Sequence, residues 1–181
     1  MMRFRLCTII LLFVSTTCFS LDSLKVGDPA PRFVLKNLEG NTLFLSDFCG
    51  NLRNDADEPH VVVLSFFATW CVPCMSEIPI LEKFEKDFNA ERIKVFLIDV
   101  GEEEHRIAEY AMKKKINLPI LIDNFLTTSK HYGIVNQRGQ MRIPQLVIID
   151  KNGLIAYKHA GYNKDMDLRE MLIRKIGELL N

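Results

Sequence analysis

The chain has 181 residues, which is enough for one ordinary domain preceded by a short leader. With 48% hydrophobic and 25% charged residues, its composition is that of a globular protein and excludes a low-complexity chain. Lysine plus arginine and aspartate plus glutamate both number 23, so no basic field indicates nucleic acid, and we expect no nucleic-acid partner.

The N-terminal segment differs from the rest of the chain. Two arginines precede an uncharged apolar run from Leu6 to Val14, and small and polar residues follow as far as Ser20. This order is typical of a secretory signal peptide and predicts residues 1–20 as the leader of an exported domain, residues 21–181. Two alternatives stay open, an uncleaved membrane anchor and a protein lipidated at Cys18. All three place the domain outside the cytoplasm.

The predicted elements follow in chain order. A small hairpin opens the domain, and the apolar run Val61–Phe67 favours a central strand buried on both faces. Strand–helix–strand units then predict parallel strand pairs, and a late hairpin predicts an antiparallel edge. The hairpin strands are Phe33–Leu35 and Thr42–Leu45; after the central strand come a helix to about Asn89, a strand Lys94–Val100, a helix Glu102–Lys115, a strand Leu118–Ile122, a helical segment Asn124–Tyr132, strands Gln145–Asp150 and Leu154–Lys158, and a helix Met166–Leu180. The sequence therefore predicts an α/β domain with one mixed sheet flanked by helices on both faces.

The cysteine content points to reactive thiols. Two of the five cysteines lie in the leader, which leaves Cys49, Cys71 and Cys74. Three is too few, and odd, for a disulfide scaffold. In an oxidising compartment a pair separated by two residues is therefore interpreted as a reactive dithiol. We interpret Cys49 as a small buried hydrophobic residue, with a third redox thiol as the alternative.

The position of the pair explains its predicted chemistry. Cys71 and Cys74 stand where the central strand passes into a helix, and Pro73 suits the first helical turn because the N–H that it lacks has no partner there. Unpaired N–H groups at a helix N-terminus favour an anion, so Cys71 is predicted to be the exposed nucleophile and Cys74 the resolving thiol. Trp70 is predicted to cover the rim of the site or to bind a partner.

Two further positions are candidates for the site. Glu77 lies three residues after Cys74, on the same helix face, where a partly desolvated carboxylate would accept the proton that Cys74 loses. A solvated glutamate, favoured by the helix dipole, is the alternative. A cis bond at Ile143–Pro144 would leave the backbone of Ile143 free to pair with an incoming peptide, although trans is the commoner state of such bonds.

These residues resemble a known family. The segment Phe66–Pro79, containing Ala68-Thr69-Trp70-Cys71-Val72-Pro73-Cys74, resembles the active-site signature of TlpA/ResA-type thioredoxin-like proteins of the redoxin (AhpC/TSA-like) superfamily. Three other segments, Val26–Phe33, Leu45–Gly50 and Ile143–Gly153, resemble that family's N-terminal extension, the turn before its central strand, and its cis-proline strand with the following hairpin. The resemblance covers most of the mature chain. It implies a thioredoxin-like three-layer fold with an N-terminal β-hairpin extension.

The resemblance also implies an activity and its residues. It implies an extracytoplasmic thiol–disulfide oxidoreductase that exchanges a Cys71–Cys74 disulfide with client proteins, as a reductant of the cytochrome c maturation type. Cys71 would be the nucleophile, Cys74 the resolving thiol, Glu77 the acid–base carboxylate and Pro144 the cis-proline. The implied partners are cysteine-bearing clients such as apocytochrome c and a membrane electron donor of the thiol–disulfide relay type. We expect a monomer with no cofactor besides the redox-active disulfide.

Two functions from other classes stay open. A peroxiredoxin-like thiol peroxidase shares the fold, but it needs a proline and a threonine ahead of its cysteine in an arrangement that Thr69 does not supply. A Sco-like copper-delivery protein uses two cysteines three residues apart with a histidine, whereas the spacing here is two. No second cysteine pair exists and the histidines are scattered, so no metal site is predicted.

Overall fold

The structure, a computed structural model, describes most of the chain: residues 24–51, 58–88, 92–161, 163 and 165–180. The predicted leader lies outside the described residues and stays a prediction. Most of the loop between Asn51 and His60 lies outside them as well. Among the described residues, none of the helices combines the length and apolar character needed to cross a membrane.

The described residues form seven strands and four helices, each close to its predicted place. The strands are β1 (Val34–Asn37), β2 (Thr42–Phe44), β3 (Val61–Phe67), β4 (Ile93–Asp99), β5 (Ile120–Ile122), β6 (Gln145–Ile149) and β7 (Ile155–Ala160). The helices are α1 (Val72–Asp87), α2 (Glu104–Lys114), α3 (Thr127–His131) and α4 (Leu168–Leu180). A short 3-10 turn, Leu45–Asp47, follows the first hairpin.

One mixed sheet contains all seven strands, in the order β2-β1-β5-β4-β3-β6-β7. β3, β4 and β5 are parallel, as the strand–helix–strand pattern predicts, and β6 pairs antiparallel with both β3 and β7. The N-terminal hairpin is part of this sheet, because β1 pairs antiparallel with β5 at Lys36–Ile122 and Asn37–Leu121. The mixed α/β fold is confirmed, and the hairpin extends the sheet at one edge.

Side chains of the buried strand β3 alternate between two faces of the sheet. Val61, Val63 and Phe67 pack on the face covered by apolar side chains of α1, α2 and α4, which we call the α1 face. Val62, Leu64 and Phe66 point to the opposite face, which is covered by the segment after α3 and by the N-terminal residues around the 3-10 turn. Helices α1, α2 and α4 therefore cover the α1 face, whereas residues after α3 and around the 3-10 turn cover the opposite face.

The parallel strands bring several strand ends together at one edge of the sheet. The carboxyl ends of β3, β4 and β5 lie at the same edge because the three strands run in the same direction. β6 runs the other way, and its first residue, Gln145, pairs with Phe66 near the end of β3. The start of β6 therefore meets the end of β3, and the turn into α1 begins at that edge.

Candidate active site

The turn between β3 and α1 carries the cysteine pair. Cys71 is the N-cap residue of α1, and its N–H donates to the carbonyl of Ala68 at 3.0 Å. Pro73 is the second helical residue, where a missing N–H leaves no helical hydrogen bond unmade. The local sequence therefore folds as predicted: a strand ends, one turn follows, and a helix starts at the pair.

Cys71 and Cys74 form a disulfide with their Cα atoms 5.3 Å apart. The N–H of Cys74 donates to Sγ of Cys71 at 3.3 Å, so the helix directs a donor at the first sulfur. In the reduced protein this donor and the helix dipole favour a thiolate at Cys71 over one at Cys74.

Exposure of the pair differs from the expectation. Cys71 is only 4% exposed and Cys74 only 1%, so the predicted nucleophile is nearly covered in the oxidised protein, although it remains the more accessible of the two. The exposed side chains of this segment are Trp70, Val72 and Pro73. A client therefore meets these three apolar side chains at the rim before it reaches the sulfur.

Glu77 occupies the next turn of α1 and is only 5% exposed. Burial raises the pKa of its carboxyl group from 4.5 to about 7. Because Cys74 and Glu77 are both buried and three residues apart on one helix, they lie on the same side of α1. A carboxyl group with a pKa of about 7 exists in both protonation states at neutral pH and is able to give or take a proton there.

Pro144 lies at the same edge of the sheet as Cys71. The Ile143–Pro144 peptide bond is cis, as the family resemblance implies. Pro144 directly precedes β6, whose first residue pairs with the end of β3, and its carbonyl accepts the N–H of Gly161 at 2.8 Å. Ile143 is half-buried and packs against the core on both sides of the sheet.

Two carboxylates at this edge do not follow from the sequence reading, which places Glu102 at the start of a helix. The helix α2 begins at Glu104, and Glu102 lies buried in the loop before it. Its carboxylate accepts the Oγ1–H of Thr69 at 2.7 Å and also the backbone N–H of Thr69. Oδ2 of Asp99, the last residue of β4, accepts the N–H of Glu102 at 2.9 Å.

Asp99 adds a second buried acid on the α1 face. It pairs in register with Phe67 of β3 and is fully buried. Burial, with smaller repulsion from neighbouring carboxylates, raises the pKa of Asp99 from 3.8 to about 7. β3 itself contains no acidic residue, and the buried acid comes from the neighbouring strand β4. An acidic residue at the end of the strand beside the active-site strand, Asp99, and a second one three residues later, Glu102, are the signal that would have found both carboxylates.

Cys49 lies on the opposite face of the sheet, and its thiol is free. Its S–H donates to the carbonyl of Leu45 at 3.8 Å. Burial, with a smaller contribution from Asp150, raises the pKa of the Cys49 thiol to about 12. This environment agrees with the interpretation of Cys49 as a small buried hydrophobic residue.

The described residues contain no cluster of three or more histidine, cysteine or acidic side chains able to hold a metal ion. A cleft of about 580 Å³ opens between β1 and the residues that follow β5, and none of the predicted site residues lines it. The site is therefore built around the disulfide, the buried carboxyl groups beside it and the cis-proline.

Comparisons with known proteins agree with this geometry. The AhpC/TSA family matches residues 26–158. The thiol-disulfide oxidoreductase ResA of Bacillus thuringiensis subsp. konkukian is 26% identical over 151 residues, covering 83% of this chain and 79% of that protein. The thioredoxin-like protein YneN of Bacillus subtilis is 30% identical over 149 residues, covering 81% of this chain and 78% of its own.

Solved structures show the same fold. A Chlorobium tepidum structure described as a thiol:disulfide interchange protein DsbE superimposes with a TM-score of 0.72 at 25% identity, covering 88% of this chain and all of that one. A Bacteroides thetaiotaomicron structure described as a protein disulfide isomerase gives a TM-score of 0.70 at 27% identity, covering 87% of this chain and 91% of that one. The thioredoxin-like fold and the disulfide chemistry are thus shared with the relatives.

Proposed function

The chain belongs to the AhpC/TSA family and is a ResA-like, thioredoxin-fold thiol–disulfide oxidoreductase, and from this premise we propose that it acts outside the cytoplasm as a reductant of client proteins. The clients are cysteine-bearing proteins of the apocytochrome c kind, which must keep both thiols reduced until haem is attached. The electrons come from a membrane-bound thiol–disulfide relay. The observation that carries the proposal is the buried Glu77 carboxyl beside a helix-capping disulfide.

The proposed reaction moves two electrons from the enzyme to the client. The Cys71 thiolate attacks a client disulfide, and one client sulfur leaves as a thiolate, which gives a mixed disulfide. Glu77 takes the proton of the Cys74 thiol, and the Cys74 thiolate attacks Sγ of Cys71. The second client thiolate leaves and takes up a proton, the client is reduced, and the Cys71–Cys74 disulfide forms. The membrane relay then reduces that disulfide.

The charges around the pair favour a reductant. A thiolate-stabilising cation makes a dithiol a stronger oxidant, because it stabilises the reduced form. The residues between the two cysteines, Val72 and Pro73, carry no charge. When ionised, Glu77 opposes thiolate formation nearby and so disfavours the reduced form. Electrons are then passed on to the client.

The leader supports the location. Residues 1–20 have the charge, apolar run and small-residue order of an export signal. Cleavage after this segment would release residues 21–181, whereas retention or lipidation at Cys18 would tether the domain at the outer surface. A membrane-impermeant thiol reagent applied to intact cells tests this. We expect it to label the reduced Cys71, and labelling only after lysis would contradict the location.

The reduction potential of the Cys71–Cys74 pair tests the direction of electron flow. The protein is equilibrated in dithiothreitol or glutathione buffers, and the reduced fraction is read from the mass added by thiol alkylation. A potential near or below about −270 mV, the thioredoxin value, supports a reductant. A potential near about −120 mV means a disulfide donor and would overturn the proposal.

The client class is tested with matched peptides. One oxidised peptide carries the C-x-x-C-H sequence of a haem c attachment site, and the other carries the same cysteines with the histidine moved away. We expect the reduced protein to reduce the first peptide several-fold faster. Equal rates for the two peptides would contradict the cytochrome c assignment while leaving the oxidoreductase activity in place.

A further inference from the structure

One segment of the chain contacts the cysteine turn from both sides. Glu102, in the loop between β4 and α2, accepts hydrogen bonds from Thr69, which lies two residues before Cys71. Tyr110 of α2 contacts Sδ of Met75, the residue directly after Cys74, through its hydroxyl group. The segment from β4 to α2 therefore brackets residues 70–74, and neither contact belongs to the exchange chemistry described above.

Of these two contacts, the one made by the Glu102 carboxylate has more hydrogen-bond and ion-pair partners. One oxygen accepts the backbone N–H of Thr69, while the other accepts its Oγ1–H at 2.7 Å and pairs with Nε of Arg106 at 3.2 Å. The backbone N–H of Glu102 donates to Asp99 at 2.9 Å, which fixes the loop to the end of β4. Thr69 and Glu102 are 33 residues apart in the chain, so this contact ties two strand ends together.

The charges that face Glu102 come from two elements. Arg106, from the first turns of α2, is paired with it, but the arginine side chain is largely exposed and its charge is screened by water. Asp99, from the end of β4, faces its backbone N–H. Tyr110, also on α2, is close enough for Glu102 to raise its pKa, after the larger effect of burial. The Glu102 carboxylate itself is buried and contacts Thr69, two residues before Cys71, so its charge lies close to the cysteine turn in a medium of low dielectric constant.

We propose that Glu102 is a positioning residue for thiol–disulfide exchange: through Thr69 it holds the turn that presents Cys71 to the client, and its negative charge opposes formation of the Cys71 thiolate. The two actions are separable, because the hydrogen bonds act on geometry and the charge acts on the thiol. The inference requires thiol–disulfide exchange by Cys71 and is independent of the direction of electron flow or of the client.

The charge is tested with Glu102→Gln, which keeps the side-chain size and one acceptor oxygen. The matched control is Glu103→Gln, which removes the same charge from the exposed neighbouring residue. The pKa of the Cys71 thiol is measured from the pH dependence of its alkylation by iodoacetamide in the reduced protein. We expect Glu102→Gln to lower this pKa by about half a unit and Glu103→Gln to leave it within about 0.1 unit.

The hydrogen bond is tested with Thr69→Val, which removes the hydroxyl donor but leaves the Glu102 charge, and with Thr69→Ser, which keeps the donor. The second-order rate constant is measured for reduction of a small aromatic disulfide by the reduced protein. We expect Thr69→Val to lower it about fivefold without lowering the pKa of Cys71, since a lost positioning hydrogen bond is worth about 1 kcal/mol, and Thr69→Ser to stay near wild type.

Two outcomes would overturn the proposal. One is an equal change in the pKa of Cys71 for Glu102→Gln and Glu103→Gln, which would mean a general surface-charge effect. The other is a lowered unfolding temperature in Glu102→Gln and Thr69→Val with the pKa and the exchange rate both unchanged, which would leave Glu102 with a purely structural role.

Discussion

The two faces of the sheet each bury cysteine, and the comparison shows that burial alone does not decide what a thiol does. Cys71 on the α1 face and Cys49 on the opposite face are both 4% exposed. Sγ of Cys71 accepts a hydrogen bond from the N–H of Cys74, whereas the S–H of Cys49 donates to the carbonyl of Leu45. One site therefore favours a thiolate and the other a thiol.

The backbone around each cysteine produces this difference. Cys71 caps a helix, where the N–H of Cys74, in the first helical turn, points at its sulfur. Cys49 follows a 3-10 turn and meets a carbonyl oxygen, with Asp150 near enough to oppose an anion further. The direction of the hydrogen bond at the sulfur distinguishes a redox thiol from a packing thiol at equal burial.

The largest expected effect is the loss of thiol–disulfide exchange when the Cys71 thiol, on the α1 face, is replaced. Cys71→Ser should lower the rate of client disulfide reduction by more than about 1,000-fold, because the attacking thiolate is gone. Cys49→Ser on the opposite face should leave that rate within about twofold of wild type. Both variants are assayed with the same oxidised peptide. A comparable loss in Cys49→Ser would show that the two faces are functionally coupled.

Alkylation of the wild-type protein compares the reactivity of Cys49 and Cys71 directly, without mutation. With its pKa near 12, Cys49 is about 1 part in 10,000 thiolate at pH 8, so it should react with iodoacetamide at least about 1,000-fold more slowly than the reduced Cys71. The measurement is peptide mapping of the folded, reduced protein over time. Similar rates at the two thiols would mean that the opposite face opens readily to solvent.

The acid beside the pair should produce the next largest effect. Because the pKa of Glu77 is about 7, the rate of client reduction by the wild-type protein should change through an ionisation near that pH. Glu77→Gln should remove that inflection and lower the rate about 100-fold at pH 7. The comparison uses pH–rate profiles of the two proteins and of Glu82→Gln, a control at a half-buried glutamate of the same helix that accepts the N–H of Asn117. An unchanged profile in Glu77→Gln would exclude proton transfer by this group.

The sequence predicts well those features that depend on residues close together in the chain. The apolar run of β3, the cysteine spacing and the placement of Glu77 one turn after Cys74 all lie within 17 residues of chain, where period and helix geometry apply directly. Such patterns do not predict contacts between segments that are distant in the chain. Thr69 meets Glu102 and β1 meets β5 only because the sheet brings separate strand ends together, and no periodicity in either partner reports the other.

The cis-proline and the low exposure of Cys71 are two further features that local sequence patterns do not predict. From the residues alone a trans bond is the commoner state at Ile143–Pro144, and the cis state was implied by the family resemblance. The helix terminus correctly predicts a donor aimed at Cys71, but the exposure of that residue depends on packing around the whole turn. The sequence therefore predicts the chemistry of the pair better than its accessibility.

The last effect is on stability, and it is expected to depend on pH for Asp99 on the α1 face but not for Cys49 on the opposite face. The pKa of Asp99 rises from 3.8 to about 7 on folding, so between about pH 4 and pH 7 the folded protein holds a proton that the unfolded chain releases. Stability from this group therefore falls as pH rises through that window. Asp99→Asn should gain about 2–4 kcal/mol in free energy of unfolding, relative to wild type, between pH 4.5 and pH 8.

Cys49→Ala supplies the control for that pH effect from the opposite face. Since the Cys49 thiol is neutral in the folded state up to about pH 12 and the unfolded thiol titrates near 9, its removal should change the free energy of unfolding equally at pH 4.5 and pH 8. Urea denaturation at the two pH values measures both variants. A pH-independent Asp99→Asn effect would mean that Asp99 is ionised in the folded protein, and the buried-acid description of the α1 face would then be wrong.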